Sequence, residues 1–222
     1  MERWIMRMAT ICLFLAILIL LSACESGAKF RVINRTSHPV YTALEGSDIV
    51  SIPGGEELII DVDTDTQNFL TGTVKKTVPV LLKGETYSLI GEVTKPQQDT
   101  TRVVFEAGKT LNAFIDPNRA GIKIVNDLDT PIARVEITKK MVNYYYVSPY
   151  GNLFDIQPGA EAWIRVPPVV AHSTDPFYFQ VDVIVNEDDA TPYTFGDIDN
   201  ILDVDDQFVI TISPEFIEGD TK

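Results

Sequence analysis

Two cysteines and two histidines are all that 222 residues contain. Cys12 lies inside an apolar run and Cys24 just beyond it, so the chain after residue 24 has no pair of thiols to join. Its folding must rest on hydrophobic burial without an internal disulfide. Scarce histidine and cysteine also exclude the common zinc spacings. His-Glu-x-x-His, Cys-x-x-Cys, Gly-x-Ser-x-Gly and the phosphate-binding glycine loop are all absent. Positive charge is short as well, with 18 Lys+Arg against 32 Asp+Glu and a net charge of −14. The deficit concentrates late: residues 121–222 hold 6 basic and 18 acidic side chains. A surface of this sign argues against nucleic acid, whose binders need a basic stripe. It favours solubility and repulsion from anionic headgroups. Only one long apolar run exists, Met8–Leu21, with no second candidate for spanning a bilayer.

That run has a recognisable setting. Met1–Arg7 carries two arginines against one glutamate, Met8–Leu21 is interrupted only by Thr10, and Leu21-Ser22-Ala23 brings small residues up to Cys24. A charged start, a short apolar stretch and a small-residue site form the pattern of a secretory signal. As a helix, the apolar stretch would extend about 21 Å, short of the ~30 Å hydrocarbon core that a transmembrane span must cross. Leu21-Ser22-Ala23-Cys24 resembles the lipobox of bacterial lipoproteins at all four positions, and the resemblance covers residues 1–24. It implies cleavage before Cys24, lipid on that cysteine and tethering to a membrane. Each buried CH₂ contributes ~0.8 kcal/mol, so two or three acyl chains hold where one does not. Glu25 stands where some inner-membrane lipoproteins have aspartate, which leans towards the outer membrane or cell surface. The expected organisation is a signal peptide over 1–23, a lipidated tether over 24–29, and two domains over 30–119 and 120–222.

The two-domain expectation comes from internal similarity. Phe30–Asn34 followed by Pro39-Val40 resembles Ile122–Asn126 followed by Pro131-Ile132. Pro53-Gly54 before Leu58–Ile60 resembles Pro158-Gly159 before Trp163–Arg165 at an offset of 105, and Leu111–Pro117 resembles Phe208–Pro214. Three anchors in one order read as a diverged tandem duplication. Each copy alternates apolar and polar residues, places Asn34 or Asn126 at a strand end, and uses Pro-Gly as a turn before an apolar run. Further strands are expected at 78–83, 86–90, 101–106 and 110–115, and at 161–166, 177–185, 192–196 and 207–213. Thirteen scattered prolines oppose long helices. The expected fold class is all-β: two tandem β-sandwich domains, immunoglobulin-like or a related Greek key. A fold of this class carries no catalytic residues with it.

Candidate chemistry is sparse. His38 and His172 read as residues of exposed loops, and Ser, His and Asp within 172–175 sit on one loop and cannot hold a triad. Two acidic runs have the alternation of calcium loops, Asp61-Val62-Asp63-Thr64-Asp65 and Asp197, Asp199, Asp203, Asp205 and Asp206. Neither has the central glycine and closing glutamate of a helix–loop–helix site. In the first, the polar face of a strand gives the same pattern. The second copy also carries an insertion with Tyr144, Tyr145, Tyr146 and Tyr150. Tyrosines on a loop suit protein or glycan contacts, since each adds rigid area and a hydroxyl. The competing expectation is that they pack along a longer strand against Trp163. Taken together, the residues point to a non-enzymatic, lipid-anchored envelope protein that binds a protein or glycan, without a cofactor beyond the lipid. An envelope hydrolase with an unrecognised carboxylate pair and a structural spacer are the alternatives. Recognition is expected far from Cys24, on the second copy.

Overall fold

The computed structural model describes residues 26–66, 72–89, 98–143, 145–170, 173–187 and 191–219. Among these residues the structure is all-β apart from one short helix near the end, as the alternation of the sequence demands. The first seven strands are β1 (Ala28–Asn34), β2 (Val40–Leu44), β3 (Val50–Ile52), β4 (Glu57–Val62), β5 (Lys75–Gly84), β6 (Thr100–Glu106) and β7 (Thr110–Ile115). The next seven are β8 (Ala120–Asn126), β9 (Ile132–Met141), β10 (Val147–Ile156), β11 (Glu161–Val166), β12 (Phe177–Ile184), β13 (Tyr193–Phe195) and β14 (Gln207–Ile212), followed by α1 (Pro214–Gly219). Residues 86–89, inside an expected strand, form a loop instead. Thr86 O accepts hydrogen bonds from Asn118 N and Arg119 N, and Ser88 N donates to Asn118 Oδ1. Their backbone is thus committed to the interdomain segment and pairs with no sheet.

The strands build two tandem sandwiches with the same plan. The first packs β4-β1-β7 against β3-β2-β5-β6, and the second packs β11-β8-β14 against β10-β9-β12-β13. In each, the first and last strands pair in parallel, β1 with β7 and β8 with β14, while all other pairs are antiparallel. Likeness to immunoglobulins therefore holds for the two-sheet architecture and not for strand order, which in that fold groups strands 1-2-5-4 and 3-6-7. Inward residues alternate with outward ones. Phe30, Val32, Val80 and Phe105 centre one core, Ile122, Ile124, Ile137 and Val181 the other.

A buried asparagine closes the top of each sandwich. Asn34 Nδ2 donates to His38 O, Ile52 O and Pro53 O, and Asn34 Oδ1 accepts from Thr36 N. Asn126 repeats this with Thr130 O, Ile156 O and Leu128 N. The following turns match through Gly55 (φ 78°) and Gly159 (φ 70°), where only glycine adopts the left-handed conformation freely. This register differs by one residue from the Pro-Gly alignment of the sequence, because the second residue of the turn, rather than the proline, must be glycine.

Candidate functional site: a tyrosine hairpin and a locked joint

The insertion in the second copy lengthens one hairpin. β9 and β10 have ten residues each, where their counterparts β2 and β3 have five and three. Tyr150 lies at a register irregularity between Pro149 and Gly151. Its hydroxyl donates to Arg165 O at 3.0 Å, and its ring meets Phe179 edge-on at 5.3 Å. Tyr150 is therefore a packed residue, against Phe179. Beyond it the hairpin continues for four residues, about 13 Å at ~3.3 Å per residue. Tyr145 is 108% and Tyr146 58% exposed at the tip, with Val147 at 53%. Tyr144 and His172 lie outside the described residues, as does Cys24. Met141 N donates to Tyr146 O, and Asn143 Nδ2 reaches Thr174 O. Of the tyrosines grouped in the sequence, Tyr150 is packed while Tyr145 and Tyr146 are exposed.

The tip lies at a defined end of the second sandwich. Arg165 pairs with Gly121 and Val166 with Ala120, where the chain arrives from the first domain. Because Tyr150 sits level with Arg165, the hairpin overhangs that end. The tip thus belongs to the second copy, at its end nearest the incoming chain.

The joint between the sandwiches is polar and closely bonded, and few of its residues stand out in the sequence. Glu85 is 1% exposed and accepts from Tyr41 OH at 3.1 Å, Gln207 Nε2 at 2.6 Å and Lys123 Nζ at 3.4 Å. Lys123 also pairs with Glu161 at 2.6 Å. Burial would lower the Lys123 pKa, but the bond to Glu161 and the charges of Glu85 and Glu161 outweigh it and raise it. Tyr41 is raised too, by burial first and Glu85 second. Arg165 bridges Asp99 through both nitrogens, at 2.5 and 3.1 Å, and donates to Tyr87 O. Trp163 stacks on Tyr41 with centroids 6.3 Å apart and planes 10° apart, and Lys83 lies over its ring.

Asp205 belongs to this joint. Its carboxylate accepts from Ser37 N at 2.8 Å and from the Thr86 hydroxyl at 2.7 Å. Its carbonyl accepts from His38 Nε2 at 2.9 Å, so His38 is an interdomain donor rather than a free loop residue. Asp205 adopts φ 73°, which a short polar side chain tolerates better than most. Its neighbours cap turns: Asp197 Oδ1 accepts from Asp199 N, and Asp206 Oδ2 from Asp203 N. Among the described residues no group of three or more His, Cys, Asp or Glu side chains is arranged to hold a metal ion. In the other acidic run Asp61 is on the outward side of β4 and Asp63 lies past its end. A signal for the joint did exist in the sequence: Trp163 and Arg165 stand on strand positions that point outward, where a lone surface residue is seldom so large.

No family model matches the chain, and no curated protein matches it. Among solved structures, the Bacillus anthracis TIE protein shares 8% identity over 85% of this chain, with a TM-score of 0.31. The chain spans 34% of that protein's length. A "putative cell adhesion protein" of Bacteroides ovatus shares 10% identity over 84% of this chain and 91% of its own, also with a TM-score of 0.31. At that overlap neither carries an argument about activity.

Proposed function

We propose that this chain is a lipid-anchored, non-enzymatic protein of the bacterial envelope, held at Cys24, whose second sandwich offers a tyrosine hairpin to a protein or glycan partner. The attachment reading rests on Leu21-Ser22-Ala23-Cys24 behind a charged and then apolar start. Glu25 favours the outer membrane or cell surface. The partner reading rests on one observation above the others: Tyr145 and Tyr146 stand out at the tip of a hairpin twice as long as its counterpart, in a fold that does not need them there. Rigid aromatic side chains with few rotors lose little entropy on contact, which suits them to recognition.

Two measurements test the two halves. Cys24→Ala should move the protein from the detergent phase to the aqueous phase of a cloud-point partition and abolish palmitate labelling. Labelling that persists in this variant would sink the anchor. The Tyr145→Ala, Tyr146→Ala double variant should keep the wild-type melting temperature and lose partners captured from envelope extracts. Capture at the wild-type level would remove the hairpin from recognition.

A further inference from the structure

The corner where the first strand of a sandwich begins has a use in the second domain. Gly121 opens β8 there, opposite Arg165 on β11 and Gln207 on β14. Both flanking side chains are bonded to the first sandwich, Arg165 to Asp99 and Gln207 to Glu85. This corner therefore holds the part of the chain that precedes it. In the first sandwich the matching rung is Lys29 on β1, between Asp61 on β4 and Thr110 on β7. The adjoining turn matches as well. Gly108 N donates to Gly27 O as Asp205 N donates to Arg119 O, and Gly108 and Asp205 share a φ of 73°. What precedes this second corner is Cys24, two residues before Ser26 and so at most about 7 Å of chain away.

Here the corner is open. A cavity of about 510 Å³ lies at it, walled by Ser26, Lys29, Asp61, Asp63, Lys109 and Thr110. Lys29 and Asp61 are directly opposed on neighbouring strands, both exposed on the outward face, yet they form no ion pair. Neither of these side chains, nor the Asp63 carboxylate, has a hydrogen-bonding or ionic partner among the described residues. Close by, Lys109 is bonded to Glu106, which Lys75 also meets, and Lys76 Nζ donates to Asp63 O. The wall thus carries two ammonium groups and two carboxylates. A ligand of one sign meets its like there as readily as its opposite, whereas a ligand bearing both signs side by side can pair with all four. The net charge of −14 also opposes anionic lipid but not a headgroup that is neutral overall.

We infer that this corner binds the headgroup of a zwitterionic phospholipid with a primary ammonium, of the phosphatidylethanolamine type, from the leaflet that holds Cys24. Its phosphate meets Lys29 and Lys109, and its ammonium meets Asp61 and Asp63. A primary ammonium offers three N–H donors to those carboxylates, where a choline group offers none. The inference rests on the attachment reading, since lipid on Cys24 is what brings this corner to a membrane. With a seat as well as a tether, the first sandwich keeps one orientation on the bilayer.

The test uses the full mature chain in neutral maltoside micelles, titrated with short-chain phospholipids and read by phosphorus NMR line broadening. Dihexanoyl phosphatidylethanolamine should bind at least tenfold more tightly than phosphatidylcholine or phosphatidylglycerol of the same chain length. Lys29→Gln and Asp61→Asn each remove one exposed charge. Each should weaken that binding at least fivefold and leave the thermal melt in place. Asp129→Asn, at the far end of the second sandwich, should change neither. Phosphatidylglycerol or phosphatidylcholine bound as tightly overturns the inference, because the ammonium is then not read. Binding that both corner variants leave untouched overturns it too, by removing the cavity. Palmitate labelling of the same preparation reports attachment separately. Labelled protein that binds no headgroup sinks this inference and leaves the anchor standing, whereas unlabelled protein whose binding follows the variants keeps the site and removes the anchor.

Discussion

Asn34 and Asn126 show how much one side chain can hold. Each is buried and saturates several backbone groups at the place where four chain segments meet. Replacing either by alanine strands buried acceptors, at a cost of about 1–3 kcal/mol for each group left bare. Asn34→Ala and Asn126→Ala should therefore each lower stability by about 3 kcal/mol in urea titrations, whereas the exposed Asn152→Ala should be nearly neutral. Glu85 predicts a pH dependence. Lys123 and Tyr41 both have pKa values raised by folding, above 10.5 and 10.0. A raised value stabilises fully below the unfolded pKa and stops doing so as pH rises through the folded one. The joint should thus hold at neutral pH and loosen above about pH 10, seen as a change in Trp163 emission. Glu85→Ala should show that change already at pH 7, since it leaves Lys123 half-paired and the tyrosine hydroxyl unanswered.

At the scale of elements, the long hairpin divides cleanly. Tyr150→Ala should destabilise by about 2 kcal/mol, since it removes a half-buried ring and a bond to Arg165 O. Tyr145→Ala and Tyr146→Ala should leave chemical denaturation unchanged within about 0.5 kcal/mol. Alternation made most strands legible: β1, β7, β8, β11 and β14 fall where the period of two predicts. The strand expected at 86–90 failed for a physical reason. Thr86 and Ser88 have strand-like composition, but the partner that claims their backbone is the connection at Asn118 and Arg119, and sequence alternation carries no record of such a partner. The acidic run at 197–206 failed to reveal its roles similarly. Aspartates that cap turns, and one that crosses a domain boundary, share the composition of a cation loop. The tyrosine cluster was visible, but which tyrosine packs depends on where the opposite sheet ends.

For the whole molecule, the joint decides whether two sandwiches behave as one. Glu85, Arg165, Asp205 and the Tyr41–Trp163 stack are spread across the contact, and Arg165 is 6% exposed. Scanning calorimetry of the wild type should give one cooperative transition, and Arg165→Ala combined with Asp205→Ala should split it into two. Two transitions in the wild type would mean that the sandwiches are coupled only loosely. The tandem architecture itself was readable from the repeated Asn and turn signals. The joint was legible only in the outward-facing Trp163 and Arg165, because its residues are 38 to 168 positions apart in the chain.

The parallel pairing of first and last strands has a mechanical consequence. A load between Cys24 and the second domain would enter the first sandwich at Ala28 and leave it at Ile115, at opposite ends of two strands bonded side by side. Lys29 to Asn34 run against Thr110 to Ile115 in register, so the pull acts along the strands and strains the rungs between them together, instead of opening them one after another as in a peeled hairpin. Two strands paired in this way resist stretching along their length far better than strands peeled apart rung by rung. Pulling the chain from its N-terminus and residue 120 should need markedly more force than pulling across the β5–β6 hairpin, whose rungs yield in sequence.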